Sequence, residues 1–205
     1  MKIVAIIDYG MCNLDSVVRA VEECGGRPVV TDQAKDIETA SHIVLPGVGA
    51  FPDAMQNIKQ LSLDKILNEQ VIEEKIPLLG ICLGMQLLAR KGWEVRETEG
   101  LGLIKGEVKR IEPFENDTRI PHIGWNEVRF VRESSLFNGI ASGKDFYFVH
   151  SYHLWPDDEE DVLARTPYAK GFVSAVHRDL IFGVQFHPEK SQRLGFQVLR
   201  NFLTI

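Results

Sequence analysis

The stretch Gly80-Ile-Cys-Leu-Gly84 places Cys82 between two glycines at the end of an apolar run. The residues that follow favour a helix, so Cys82 is expected at a sharp strand-to-helix junction. Glycines two residues before and after a nucleophile relieve crowding at such a junction, which is called a nucleophile elbow. A helix N-terminus also favours thiolate over thiol, because its partial positive charge stabilises the anion. Cys82 is therefore a candidate nucleophile, although a lone cysteine is more often a buried packing residue.

A thiol nucleophile needs a base, and the base needs a group that orients it. The segment VQFHPEKS supplies His187, with Pro188 and Glu189 directly after it. His187 could take the proton from Cys82, and Glu189 could hold the imidazole in the tautomer that this transfer requires. Alternatively, His-Pro-Glu is a solvated turn with Glu189 in the first turn of a helix.

A glycine-rich loop, Pro46-Gly47-Val48-Gly49, follows another predicted strand. Its backbone can present an N–H group to the negative charge that develops on an attacked carbonyl, together with the N–H of Leu83. The loop could equally bind a phosphate, but it lacks the Gly-x-x-x-x-Gly-Lys-Ser/Thr pattern of nucleotide-binding loops.

The other histidines and cysteines are predicted to be structural. The sequence has no Cys-x-x-Cys pair and no acidic cluster with metal-ligand spacing, and His150 and His153, although three residues apart, lie in a predicted strand. The sequence therefore predicts no disulfide, no metal and no other cofactor. The residues assigned to packing or strands in this way are Cys12, Cys24, His42, His122, His150, His153 and His177.

Length and composition describe an ordinary globular chain. Its 205 residues suit one domain, residues 1–205, with 44% hydrophobic and 25% charged residues and a formal net charge of -6. No block of Lys and Arg suggests nucleic-acid binding. The N-terminal apolar run is too short for a secretory signal, and no window approaches the roughly 20 apolar residues of a membrane span. We therefore expect a cytoplasmic protein.

The first half of the chain alternates short apolar runs with amphipathic segments. Such alternation favours a doubly wound parallel sheet, since buried parallel strands read as continuous apolar runs. The predicted strands are residues 2–8, 27–32, 40–47 and 76–81. The first predicted helix starts at Asn13, a cap candidate, and ends at Gly25. The other predicted helices cover about 52–57, about 64–74 and 82–92.

The second half contains strand-like segments with turn residues between them. They are residues 100–111, 122–130, 145–155, 161–166, 171–178 and 180–186. Their alternation favours antiparallel hairpins that continue or flank the sheet. A closing helix is predicted from Ser191, as its cap, to Phe202. The expected fold is α/β, a flavodoxin-like three-layer sandwich with a mainly parallel central sheet and antiparallel strands in the second half.

Five motifs together resemble the class I, triad-type glutamine amidotransferases: LPGVGAF, GICLGMQLL, PHIGWNEV, FYFVHSYH and QFHPEKS. The resemblance covers essentially the whole chain. It implies that Cys82 attacks the side-chain amide of L-glutamine, forms a thioester and releases ammonia. His187 is then the general base and acid, and Glu189 orients it. The resemblance places the oxyanion hole at the backbones of Gly47, Val48, Gly49 and Leu83.

The same resemblance implies a set of substrate-binding residues. Gln86 follows Cys82 by one helical turn and matches a glutamine-binding position. Glu94 matches the partner of the substrate amino group, although Glu97 or Glu99 could take that role. The residues that match the strand facing the substrate carboxylate are Tyr147, His150, Ser151 and Tyr152.

Within the class, the motifs PGVGAF, PHIGWN and HPEKSQ are most similar to glutaminase subunits of histidine biosynthesis. The resemblance implies a free-standing subunit that forms a heterodimer with HisF, a (β/α)₈-barrel cyclase. The cyclase uses the ammonia to convert a phosphoribulosyl-formimino-AICAR phosphate into imidazole glycerol phosphate and AICAR. The segment that resembles the partner-facing surface contains Pro121, His122, Gly124, Trp125 and Asn126. From the residues alone, this segment is a buried strand.

Three other functions remain open at the level of sequence. The chain could feed ammonia to another synthase, such as those of the anthranilate or pyridoxal phosphate pathways. It could be a general cysteine hydrolase that acts without a partner. It could also be a non-catalytic regulatory homologue, although such a protein would be expected to lack part of the Cys82, His187 and Glu189 triad, which is complete here.

Overall fold

Strands from the two halves of the chain meet in one central sheet. The computed structural model describes residues 1–114 and 119–205, and within these ranges thirteen strands form two sheets. The strands are β1 (Ile3–Ile7), β2 (Arg27–Thr31), β3 (His42–Leu45), β4 (Leu78–Ile81), β5 (Ala89–Gly92), β6 (Thr98–Glu99), β7 (Ile104–Arg110), β8 (His122–Phe130), β9 (Lys144–His150), β10 (Tyr152–Pro156), β11 (Val162–Thr166), β12 (Phe172–Arg178) and β13 (Ile181–Val184).

The large sheet has the strand order β2-β1-β3-β4-β13-β12-β11-β8-β9. Pairing is parallel from β2 through β4 to β13 and antiparallel from β13 onwards. The small sheet has the order β10-β7-β5-β6. The predicted α/β class, with parallel strands first and antiparallel strands in the second half, is confirmed.

Helices and the small sheet cover the two faces of the large sheet. The helices are α1 (Leu14–Glu23), α2 (Ala34–Glu38), α3 (Phe51–Gln60), α4 (Leu63–Asn68), α5 (Leu83–Leu87) and α6 (Gln192–Phe202). Apolar residues of α2 to α5 and of the small sheet share one core cluster, and those of α1 and α6 share the other. In β1, Ala5 and Ile7 join the first cluster, and Val4 and Ile6 join the second. This burial on both sides explains the continuous apolar runs of the parallel strands.

Several elements differ from their predicted bounds. The helix after Cys82 ends at Leu87, because Ala89–Gly92 pairs with β7 and β6 as strand β5. The predicted helix 64–74 is α4 followed by a π-helical turn, Glu69–Glu73. The predicted strand 145–155 is two strands that separate at Ser151 and belong to different sheets. The short helix α2 was not predicted, because its five residues carry too little apolar periodicity.

The two predicted helix caps do not act as caps. Neither Asn13 nor Ser191 accepts a capping hydrogen bond at its side chain. The Ser191 hydroxyl donates to the His187 carbonyl at 2.7 Å and accepts from the Tyr147 N–H at 3.0 Å. Ser191 therefore ties α6 to the neighbouring segments instead of closing the helix end.

Residues 1–114 and 119–205 contain no helix long and apolar enough to cross a membrane. The same ranges contain no group of three or more His, Cys, Asp or Glu side chains that could hold a metal ion.

The start of α5 packs against the ends of β3 and β4 through backbone contacts. A Cβ on Gly84 would lie 1.7 Å from the Leu45 carbonyl oxygen, and one on Gly80 would lie 2.7 Å from the Gly84 carbonyl oxygen. The glycines on either side of Cys82 are therefore required because two pieces of backbone approach more closely than any side chain permits. This close approach fixes the position of Cys82 relative to β3.

We expect Gly84→Ala to destabilise the protein by about 3 kcal/mol or more, because the added methyl group meets rigid backbone. Gly183→Ala, on the adjacent strand β13, is the matched control. The atoms nearest to its Cβ would be side-chain atoms of Met85, Val176 and Leu88 at 2.8 to 3.2 Å, so these side chains must repack and a smaller loss of stability is expected there. Urea unfolding of both variants measures the difference. Equal stability losses in the two variants would contradict the backbone explanation.

Candidate active site

Cys82 occupies a strained backbone conformation between β4 and α5. Its φ is +54° and its ψ is -110°, a region that residues with a Cβ rarely adopt. Its N–H donates to the Val184 carbonyl at 2.8 Å, and only 6% of the residue is exposed. The geometry is that of the predicted nucleophile elbow, with the side chain held at the carboxyl edge of the parallel strands.

His187 reaches Cys82 because β13 is the parallel neighbour of β4. Ile81 at the end of β4 pairs with Val184 at the end of β13, so both strands deliver their following residues to the same edge. The His187 N–H donates to the Tyr147 carbonyl at 2.9 Å, and the Ser191 hydroxyl holds the His187 carbonyl. The backbone of His187 is thus fixed to β9 and to the start of α6.

Glu189 orients the imidazole of His187. The two are joined by a 2.8 Å contact between Nδ1 of His187 and Oε1 of Glu189, and both side chains are almost fully buried. A carboxylate only accepts hydrogen bonds, so Nδ1 carries the proton in this contact. The other ring nitrogen, Nε2, is then available to exchange a proton with Cys82, since Cys82 and His187 line one cavity. Nε2 has no hydrogen-bond partner within residues 1–114 and 119–205.

The electrostatics of the site favour a charged imidazole. Burial alone would lower the pKa of His187, but the attraction of the Cys82 thiolate and the hydrogen bond and charge of Glu189 raise it to about 10. Within residues 1–114 and 119–205, Nε2 of His187 has no hydrogen-bond partner, so Cys82 raises this pKa through its negative charge when it is a thiolate. A charged imidazole beside Cys82 favours the thiolate form of a cysteine over the thiol.

The predicted oxyanion donors are in different states. Leu83 is the first residue of α5, so its N–H has no partner within the helix and is free for an oxyanion. The Val48 N–H instead donates to the Met11 carbonyl at 2.9 Å. Gly49 has a φ of +107° and lines the cavity with Val48. Gly47 packs so closely on the Tyr9 hydroxyl that a Cβ would lie 2.1 Å from it.

A cavity of about 310 Å³ contains Cys82 and His187. Five of the six predicted substrate-binding residues line it, namely Gln86, Glu94, His150, Ser151 and Tyr152. A larger cavity of about 840 Å³ opens on the other side of Tyr152, around Glu107 and Arg110, but none of the triad lines it. The smaller cavity is the candidate active site because it holds the nucleophile.

Of the three acidic residues considered for the substrate amine, only Glu94 lines the cavity. Its Oε2 accepts a 2.8 Å hydrogen bond from the N–H of Phe51, the first residue of α3. The helix N-terminus thus stabilises a carboxylate at this position. Glu97 and Glu99 instead form exposed ion pairs with Lys91 and Lys59.

Tyr147 lies outside the cavity lining. Its backbone holds His187 and Ser191, and its ring packs edge-on against Trp125 with the ring centroids 6.1 Å apart. The structure therefore gives Tyr147 a positioning contact with the catalytic segment instead of a place beside the substrate.

Two buried histidines next to the cavity are neutral. Burial lowers the pKa of His150 to about 3 and that of His122 to about 4. The Tyr152 carbonyl can only accept, so Nδ1 of His150, 2.8 Å away, is the donor and Nε2 of His150 is an acceptor. Nδ1 of His122, 3.1 Å from that acceptor, carries the next proton. Asn126 then donates from Nδ2 to Nε2 of His122 at 3.3 Å.

The segment predicted to face a partner has one outward and one inward side. Pro121 and Trp125 are exposed, as is Ile123, which the sequence did not single out. His122 is buried, and Asn126 turns towards it. Only the outward set can touch a partner directly, because strand residues alternate between the two faces.

From the sequence, no site role was assigned to two residues that lie beside Cys82 and His187. Gln185 is fully buried, and its Nε2 lies 3.6 Å from the Cys82 sulfur. Ser191 holds the backbone of His187. One feature of the sequence could have indicated Gln185. It is the single amide in the apolar run LIFGVQF, which ends directly before the predicted base, His187.

Comparison with known proteins agrees with this geometry. Residues 5–205 match the family model described as glutamine amidotransferase class-I. The solved structure of PurLQS from Thermotoga maritima has a TM-score of 0.73 at 19% identity, covering 100% of this chain and 99% of that one. A glutamine amidotransferase from Thermotoga maritima has a TM-score of 0.66 at 19% identity, covering 99% and 83%. At this identity, both structures show the fold alone.

The chain belongs to the class-I glutamine amidotransferase family. Within that family, it is 50% identical over 202 residues to the imidazole glycerol phosphate synthase subunit HisH of Moorella thermoacetica, covering 98% of this chain and 94% of the relative. It is 47% identical to HisH of Aquifex aeolicus, covering 96% and 94%. The resemblance predicted from the motifs is confirmed.

The raised pKa of His187 can be tested without substrate. Cys82→Ser removes the thiolate, so the pKa of His187 should fall well below about 10. Glu189→Gln should also lower it, because the charge of Glu189 is lost. NMR titration of the imidazole signals measures both changes. His42, whose pKa burial lowers to about 4, is the internal control and should not move. An unchanged His187 titration in Cys82→Ser would show that Cys82 is not charged beside it.

Proposed function

We propose that the protein hydrolyses L-glutamine to glutamate and ammonia and delivers the ammonia to a cyclase subunit of imidazole glycerol phosphate synthase. The observation that carries this proposal is the buried Cys82, His187 and Glu189 set, which lies in one cavity. The set occurs in a chain about half identical to HisH subunits over nearly its full length. The unit that acts is residues 1–205 as a single amidotransferase domain, in the cytoplasm.

The site divides a difficult hydrolysis into two easier steps. The Cys82 thiolate attacks the carboxamide carbon, and the charge that develops on oxygen is stabilised by backbone N–H groups. The His187 imidazolium gives its Nε2 proton to the amide nitrogen, which departs as ammonia and leaves a thioester on Cys82. The neutral imidazole then takes a proton from water, whose oxygen attacks the thioester and releases glutamate. Glu189 keeps Nδ1 protonated throughout.

The cavity offers separate contacts for the two ends of glutamine. The Glu94 carboxylate attracts the ammonium group, since it is the acidic side chain that lines the cavity near Gln86. The substrate carboxylate lies at the β9–β10 junction, where Ser151 separates the two strands and Tyr152 begins β10. Held at both ends, the substrate presents its carboxamide to Cys82.

The partner in this proposal is HisF, a (β/α)₈-barrel cyclase that receives the ammonia and forms imidazole glycerol phosphate and AICAR. Ammonia released into water at neutral pH would become ammonium and lose its nucleophilicity, so a direct receiver is required. Ile123 and Trp125 on β8 are 60% and 48% exposed, which suits an apolar contact with the cyclase. Val48 is 40% exposed beside the cavity, so a bound partner could reach the oxyanion loop.

Low activity of the isolated subunit is expected, because the Val48 N–H donates to Met11 instead of facing the cavity. We expect glutamate release to rise at least tenfold when the cyclase barrel and its phosphoribulosyl ligand are added. Loss of one oxyanion donor typically costs about 10² to 10³ in rate. Anthranilate synthase and pyridoxal phosphate synthase subunits, which should give no stimulation, are the control partners. Stimulation by one of those instead would reassign the pathway.

Cys82→Ala should abolish glutamate release in the same assay while leaving binding to the cyclase intact, since the Cys82 side chain is buried and cannot itself contact a partner. Full activity in this variant would refute the nucleophile assignment.

Glu94→Gln should raise the KM for glutamine about tenfold or more with a smaller effect on kcat, because a charge-assisted contact to the substrate amine is lost. Glu97→Gln is the matched control, since it removes an exposed charge that pairs with Lys91 outside the cavity. Steady-state kinetics with the cyclase bound measures both variants. A larger KM effect in Glu97→Gln would move the amine site to the neighbouring residue.

A further inference from the structure

Gln185 places a buried amide beside the reacting sulfur. It follows directly after β13 and is fully buried. Its Nε2 lies 3.6 Å from the Cys82 sulfur, within the range of a hydrogen bond to sulfur. Its Oε1 lies 3.1 Å from Nε2 of Gln86. Gln185 therefore links the nucleophile to a residue of the glutamine cavity.

The surrounding backbone determines which end of the Gln185 amide faces the sulfur. The Tyr152 carbonyl lies 2.8 Å from the terminal nitrogen of Gln86 and can only accept, so the Gln86 group there is an amide donor. The second hydrogen of that nitrogen points to Gln185, whose oxygen must accept it. The remaining end of Gln185 is then the NH₂ group, and this donor faces Cys82.

A donor at this position distinguishes the two protonation states of Cys82. The Val149 carbonyl oxygen, 3.8 Å from the sulfur, can accept from a thiol but cannot stabilise a thiolate. An amide N–H does the opposite, since hydrogen bonds to a charged acceptor are stronger than those to a neutral one. The donor is neutral at every pH of interest, so it stays in place when His187 loses its proton.

We propose that Gln185 is a positioning residue that stabilises and aims the Cys82 thiolate, and that Gln86 and the Tyr152 carbonyl fix its amide in the donating orientation. Its task differs from that of His187, which has to give its proton to the leaving group and so cannot hold the sulfur throughout the reaction. The inference rests on the proposed function only in taking Cys82 as the nucleophile.

The first test is the pH dependence of Cys82 alkylation by iodoacetamide in the free subunit, followed by peptide mass spectrometry to separate Cys82 from Cys12 and Cys24. Gln185→Met keeps an unbranched side chain of similar length and removes the donor. We expect the midpoint of its rate profile to move up by about one pH unit, so that the rate below the midpoint falls about tenfold.

The matched control is Ser174→Ala. Ser174 is fully buried on β12, its carbonyl accepts from the Gln185 N–H, and its hydroxyl has no hydrogen-bond partner within residues 1–114 and 119–205. A general packing defect would change the alkylation rate without moving the midpoint. A Gln185→Met profile with the wild-type midpoint overturns the proposal.

The second test needs no variant of Gln185 and therefore stands even if Gln185→Met does not fold. The side-chain NH₂ signals of Gln185 in wild-type protein should shift with pH in step with the alkylation profile, and should not titrate in Cys82→Ala. NH₂ signals of Gln185 that do not shift as Cys82 titrates would overturn the proposal. Both measurements are independent of glutamine, so a protein that passes them but releases no glutamate would refute the proposed function and leave this inference standing.

Discussion

The parallel pairing of β4 with β13 is the contact on which the site depends. These strands come from distant parts of the chain, and their register places Ile81 beside Val184. The Cys82 N–H then donates to the Val184 carbonyl, which joins the candidate nucleophile to the strand that leads to the candidate base, His187. A register slip of one residue would turn His187 to the other face, because strand side chains alternate. The separation between sulfur and imidazole is therefore set by backbone hydrogen bonds of the sheet.

Burial gives the charges around this contact their importance. In water, a thiolate and an imidazolium attract each other weakly, but a low-dielectric site strengthens every charge and every directed dipole. This explains why the pKa of His187 is raised to about 10 while that of His150, without an anionic partner, is lowered to about 3. The same burial makes the orientation of each amide matter, because a misplaced donor in such a site has no water to replace its partner. The hydrogen bonds from Gln86 to the Tyr152 carbonyl and to Gln185 set the orientation of both amides, because a backbone carbonyl can only accept.

The predicted oxyanion donors differ in whether their N–H groups already have a backbone partner. Leu83 offers its N–H because the first residue of a helix has no partner within the helix. Val48 lies in a loop with no such constraint, and its N–H finds the Met11 carbonyl instead. Gly47 is held tightly against Tyr9, and Gly49 has a φ of +107°, a backbone conformation that glycine adopts more readily than other residues.

The order of the elements could be predicted from the sequence, and the candidate catalytic residues could be singled out there, because both depend on local rules. The glycines around Cys82, the His-Pro-Glu segment and the alternation of apolar runs each reflect constraints within a few residues. Contacts between distant segments could not be predicted in this way. Only the tertiary structure separated Glu94 from Glu97 and Glu99, placed Tyr147 behind His187 instead of in the cavity, split residues 145–155 between two sheets and turned the Gln185 amide towards the sulfur. The physical reason is that residue type and spacing limit what a side chain can do, whereas its partner depends on which distant backbone groups the sheet brings within hydrogen-bonding distance.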